Sequence, residues 1–197
     1  MKSVPPAEIS RLDIARAAGC DPALVRYYFG SKSKLIEAAV LEASAELRDR
    51  QAAGFARART PRAKIKARIT GLLEVFYDDP SFYHLALERI IHGKSREVLD
   101  MRHDLMYGAV DALEEAINEG VATGEFRRFD PRHLFLAMVG ACGYPMSERA
   151  VFAELIGKEP TRADLEAYTS SIVDLFLGGL ETRPPARRRA ATAPKAT

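Results

Sequence analysis

Apolar residues return along this chain at intervals of three and four positions, the spacing that lines them up on one side of a helix. Ile65, Ile69, Leu72, Leu73 and Phe76 mark a helix over 62–77. Val98, Met101, Leu105, Val110, Leu113 and Ile117 mark one over 95–119, and Leu134, Phe135, Met138 and Val139 mark one over 131–142. Further helices are predicted over 81–92, 147–156 and 161–179, the last carrying Leu165, Tyr168, Ile172, Val173 and Phe176. No stretch alternates apolar and polar residues with β-branched enrichment, so no strand competes. The predicted fold class is all-α.

At the front of the chain, cap chemistry punctuates three units. Ser10 with Asp13 three positions on resembles a capping box that starts a helix at Arg11, with Leu12, Ile14 and Ala15 as a small apolar side. Gly19 ends it. Asp21 can cap the next helix with Pro22 at its first position, where the missing N–H costs nothing. That helix, Pro22 to Phe29, turns Leu24 and Val25 toward a core. Gly30 stops it, Ser31 caps a third, and Lys32 to about Ala53 continues with Leu35, Ile36, Ala39 and Val40 on one face.

Two helices joined by Gly-Cys-Asp make a helix-turn-helix unit whose second helix can enter a major groove. Arg26 can donate to a phosphate or bidentately to guanine, and Tyr27 and Tyr28 can bond phosphates or pack on thymine methyl groups. Lys32 sits beside the free N–H groups of a helix start, which favour an anion. Ser10, Arg11 and Leu24 complete the set expected at the DNA. Spacing alone leaves open a plain helical hairpin whose tyrosines pack in a core.

The net charge of +2 is unevenly placed. Residues 1–40 carry net +2, 41–182 carry net −5, and 183–197 hold five basic groups and no acidic one. The long middle is therefore no general polyanion binder; a nucleic-acid contact belongs to the front and to the basic tail, which is expected to be disordered. With 47% apolar residues over 197, the chain can bury a substantial core, and no run approaches the length of a membrane span. An N-terminus without the apolar stretch of a secretory signal makes a soluble cytoplasmic protein the expectation. Cys20 and Cys142 offer neither a disulfide framework nor metal spacing and read as small buried hydrophobes. His84, His92, His103 and His133 never take the HExxH spacing, and Gly93-Lys94-Ser95 lacks the earlier glycine of a phosphate loop, so neither an enzyme nor a cofactor or metal is expected.

The segment DIARAAGCDPALVRYYFGSKSKLIEAAV resembles the DNA-binding signature of the TetR/AcrR family of bacterial transcriptional regulators, through Ile14, Ala15, Ala18, Gly19, Val25, Tyr28, Phe29, Gly30, Ser31, Lys32 and Leu35. The resemblance implies a homodimer whose subunits each carry an N-terminal DNA-binding domain and a larger helical domain for a small-molecule effector and for dimerisation. On it, residues 1–45 form the helix-turn-helix domain, 46–182 the regulatory domain and 183–197 the tail. The family's phosphate-contacting aromatic falls on Tyr28 and its lysine on Lys32. Many members have Tyr after Leu or Val where this chain has Arg26 after Val25, which implies a different base preference. Members usually begin with a further amphipathic helix, which Pro5 and Pro6 bar here. This implies either further sequence upstream, the favoured expectation, or loss of firm DNA binding, and it implies partial exposure of Leu12, Ile14, Leu24 and Phe29.

By the same resemblance, the chain is a repressor released from its double-stranded DNA operator by an effector. Tyr77, Tyr83, His103, Tyr107, Cys142 and Tyr144 are the candidate effector contacts, polar-tipped groups on the central helices. Leu134, Met138, Tyr168, Ile172, Leu175 and Phe176 are candidates for a two-fold interface or for intrachain core. The alternative is a helical dimer that binds a small molecule or a partner protein without reading DNA.

Overall fold

The structure, a computed structural model, describes residues 10–78 and 85–182. Among them are eight α-helices and one π-helical turn, and extended pairing is limited to a single bridge between Phe126 and Glu181. The helices are α1 (Arg11–Ala17), α2 (Pro22–Phe29), α3 (Lys32–Arg57), α4 (Pro61–Asp78), α5 (Arg96–Ala122), α6 (Pro131–Ser147), α7 (Arg149–Ile156) and α8 (Arg162–Leu180), with the π turn at Leu87–Ile91 between α4 and α5. The chain is all-α, as its spacing predicts.

The front helices start where their caps predict. The Ser10 hydroxyl accepts the Asp13 N–H at 3.1 Å while the Asp13 carboxylate accepts the Ser10 N–H at 3.0 Å, closing the box. Asp21 accepts the Ala23 N–H at 2.7 Å, and Ser31 accepts the Lys34 N–H at 3.2 Å. Gly19 and Gly30 turn the chain with φ of +63° and +69°, angles that a side chain resists. α3 then runs 26 residues without a break, past the expected boundary at residue 45 and into the larger domain.

In that domain α4 is the hub, packed against α3, α5, α6 and α8. Its apolar stripe of Ile65, Ile69, Leu72 and Leu73 meets Leu113 and Ile117 of α5, Leu134, Met138 and Cys142 of α6, and Ile172, Val173 and Leu177 of α8. Leu134, Met138 and Ile172 are thus intrachain core, with Tyr168 and Phe176 packed against it. Of the six residues weighed for a two-fold interface, Leu175 alone stands out in solvent, at 68% exposure. The loop after α5 is tied to the end of α8, where the Arg127 N–H donates to the Leu180 carbonyl at 2.8 Å and the Thr182 N–H donates to the Glu125 carbonyl at 3.0 Å.

Three sequence expectations change. The segment expected as a regular helix over 81–92 contains the widened π turn, and its first part, 81–84, lies outside the described residues. Cys20 is half-buried in the turn between α1 and α2 and only Cys142 lies in the core. The helix expected to end near 142 continues to Ser147 through Pro145. A proline there leaves the carbonyl four residues back without its N–H donor. That carbonyl belongs to Ala141, and the Tyr168 hydroxyl of α8 donates to it at 2.6 Å. Replacing Tyr168 with phenylalanine is therefore expected to strand a partly buried carbonyl and cost about 1–3 kcal/mol. Urea titration checks this: the midpoint falls with an unchanged slope, and an unmoved midpoint contradicts it.

Candidate functional site

α2 shows almost its whole surface to solvent, with Val25 its one buried residue. At about 100° per residue, Tyr27 falls nearly opposite Val25, with Arg26 on one flank and Leu24 and Tyr28 on the other. Tyr27 is 81% and Tyr28 73% exposed, and their rings meet edge to face at 5.2 Å. Two aromatics and an arginine held in open solvent do nothing for a core. Exposed in this way, they are free to bond phosphates or reach base edges. The hairpin reading with tyrosines in a core does not survive this geometry.

The neighbours of α2 are placed by the caps. Ser10 is committed to capping α1, and its hydroxyl and N–H hold the Asp13 carboxyl below the usual range. Arg11 is exposed at the first position of α1. Lys32 occupies the first position of α3 with a half-buried side chain, directly after the Gly30 turn that ends α2. Ala15 of α1 and Val25 of α2 are the buried contacts of the pair, while Leu12, Leu24 and Phe29 remain exposed, the exposure expected of them from sequence.

A contact absent from the sequence reading ties this unit to the larger domain. Arg89, in the π turn, donates through Nη1 to the Ser33 hydroxyl at 3.0 Å, one residue from Lys32. Arg102 of α5 holds the same turn by donating to the Ile91 carbonyl at 2.8 Å. Ile90 and Val98, buried on either side of Gly93, seat the turn.

The predicted effector contacts are not brought together. Tyr83 lies outside the described residues, and Tyr77 is in the last turn of α4. His103 and Tyr107 are exposed on α5 with their rings stacked at 4.5 Å. Tyr144 is exposed on α6. Cys142 is buried in the core, where desolvation pushes its thiol up to about 12, so it stays protonated and unreactive.

Among the described residues, cavities open on this domain. One of 330 Å³ lies between α4 and α8, beside Thr70 and Thr169. One of 630 Å³ lies between α5 and α6, and Tyr107 is the one predicted contact that lines it. A third, of 690 Å³, is bounded by α3, α4 and α5 and lined by Gln51, Phe55, Arg68 and Leu105. Arg68 is not among the contacts expected from sequence, although its position carries a signal: with Ile65, Ile69 and Leu72 it shares the core-facing register of α4.

Known proteins resemble this chain in sequence and in fold. The family described as tetracyclin repressor-like, C-terminal domain, matches residues 58–184. The HTH-type transcriptional regulator BetI of Rhizobium meliloti (strain 1021) is 41% identical over 61 residues, which is 31% of this chain and only 30% of that protein. Among solved structures, a transcriptional regulator of the TetR/AcrR family from Thermobifida fusca YX-ER1 superposes with a TM-score of 0.68 at 21% identity, covering 88% of each chain. The transcriptional regulator FadR from Bacillus subtilis, solved in complex with stearoyl-CoA, superposes with a TM-score of 0.63 at 18% identity over 88% of this chain and 90% of that one.

Proposed function

Because this chain belongs to the TetR family of transcriptional regulators, helix-turn-helix proteins that bind DNA, we propose that it is a homodimeric repressor. It holds its operator through α2 and lets go when a small-molecule effector binds between α3, α4 and α5. The observation that carries this reading is the unbroken α3, which starts one residue after the turn that ends α2 and forms a wall of the 690 Å³ cavity. Any tilt of α3 driven from the cavity moves α2 with it. The Arg89–Ser33 bond supplies a second lever on the same helix start.

Two α2 helices, one per subunit, then sit about one turn of DNA apart in successive major grooves. The outward residues of α6 and α8, Leu136, Tyr144 and Leu175, are the apolar surface left for the partner subunit once Leu134, Met138 and Ile172 are taken by the core. Coupling of about 1–3 kcal/mol between effector and operator is enough for a useful switch. No helix among the described residues is long and apolar enough to cross a membrane, in keeping with a protein that works on DNA.

Selection from a random duplex pool tests this without knowledge of the effector. The expected product is a near-palindrome whose half-sites are separated by about one helical turn, or a multiple of it. A dimer that enriches no sequence contradicts the proposal and favours a helical dimer that binds a small molecule or partner protein without reading DNA.

A further inference from the structure

The 690 Å³ cavity is lined by as many cations as carboxylates, and the way they pair leaves Arg68 without a carboxylate among the described residues, which points to the chemistry of its ligand. Four carboxylates line it, and each ion pair they make is with a cation other than Arg68. Lys64 is held by Glu119 at 2.7 Å and by Glu115 at 3.2 Å. Arg48 is held by Asp49 at 3.1 Å and by Asp104 at 3.4 Å. Arg68, deeper between the helices, has one hydrogen bond among the described residues, from Nη1 to the neutral Gln51 Oε1 at 2.8 Å. Its Nε is buried without a partner.

A half-buried guanidinium whose Nε is sealed from solvent and which has no counter-ion is costly to hold. Nothing in the fold repays the cost: Arg68 lies in the core-facing register of α4, where a leucine would extend the stripe of Ile65, Ile69 and Leu72. Desolvation lowers its pKa to about 10, which still leaves it charged at neutral pH. The planar fork of an arginine, with Gln51 fixing one end, matches the two oxygens of a carboxylate. Around it, Phe55, Leu105 and Ala109 offer apolar wall. A cavity of this size takes a ligand in the range of ordinary small molecules.

We propose that the effector is an organic monoanion, a carboxylic acid with an apolar body, whose carboxylate docks on Arg68 beside Gln51 while its body lies along Phe55 and Leu105. This rests on the effector-responsive reading above and gives that site its ligand class. Since Gln51 is on α3 and Arg68 on α4, the carboxylate draws on the junction of the two helices that any signal to α2 must cross.

The test compares butanoate, octanoate and dodecanoate, each against its primary amide, by calorimetric titration of the full chain. At least one acid is expected to bind about tenfold or more tightly than its amide, as a charge-assisted bond requires. Arg68→Gln is expected to erase the preference for acid over amide, and Arg68→Lys to keep part of it. The comparison on the parent chain needs no variant, so it stands even where Arg68→Gln fails to fold. Equal affinity for acid and amide, no saturable binding of any acid, or a preference that survives in Arg68→Gln overturns the proposal. An acid that binds through Arg68 and leaves operator affinity unchanged keeps this site and contradicts the repressor reading. A neutral compound that releases the operator while the acids do not bind keeps the repressor reading and removes this one.

Discussion

Replacing Gly120 with alanine is expected to cost the larger domain about 1–3 kcal/mol or more, the scale of overpacking a filled core. Gly120 lies on α5 where a Cβ would fall 2.2 Å from Phe126 Cδ2 and 2.6 Å from its Cγ. Neither partner can yield. Phe126 is 1% exposed and belongs to the main core cluster, and its backbone is pinned on both sides. Its own N–H donates to the Gly120 carbonyl at 2.9 Å, while the next residue is bonded to the end of α8. The added methyl therefore has to push the ring out of the core or pull the loop from α8, and a domain with a total stability of about 5–15 kcal/mol tolerates little of that. Urea unfolding of Gly120→Ala and of Gly54→Ala provides the comparison. Gly54 is on α3 with nothing within 4 Å of an added Cβ, so its replacement is expected to be neutral or mildly stabilising through helix propensity. Equal midpoints for the two variants contradict the packing described for Phe126.

Removing the Arg26 side chain is expected to weaken operator binding by about 1–3 kcal/mol and to relax discrimination at one base pair per half-site. Removing Lys32 is expected to do something different: a loss shared by all duplexes, with the salt slope reduced by about one. The difference follows from placement. Arg26 is exposed in the middle of α2, on the flank of the Tyr27 face, whereas Lys32 is half-buried at the start of α3, where a helix end favours an anion. Binding titrations against the selected operator and against variants with single base-pair changes separate the two. A Lys32→Ala chain that loses discrimination at one position, or an Arg26→Ala chain that weakens all duplexes alike, contradicts the assignment of roles.

How legible each part was depends on how far apart in sequence its causes lie. The starts of α1, α2 and α3 were readable because Ser10–Asp13, Asp21–Pro22 and Ser31 act within one turn. The stripe of α4 was readable because Ile65, Ile69 and Leu72 repeat at the helical period. The exposed aromatic pair on α2 was not settled by spacing, since Tyr27 and Tyr28 on a two-turn helix fit a core as well as a groove until α1 and α3 fix which side is covered.

The effector contacts were the least legible. Polar-tipped aromatics were taken as pocket formers, yet whether Tyr107 or Tyr144 faces inward depends on helix packing that no local pattern states. Arg68 and Gln51 are 17 residues apart and meet only when α4 folds back on α3. The continuation of α6 through Pro145 has no local signal, because the compensating donor, Tyr168, comes from another helix. Leu134, Met138 and Ile172 could serve a partner subunit or their own core, and only the packing around α4 decides for the core.

The most direct test of the account is fluorescence anisotropy of this chain on the DNA flanking its gene and on a scrambled duplex of equal length, at two salt concentrations. Binding to one flanking site is expected to be about a thousandfold or more tighter than to the scrambled duplex, with both affinities falling as salt rises. Equal affinity for the two duplexes, from a protein that is still a dimer, would contradict it.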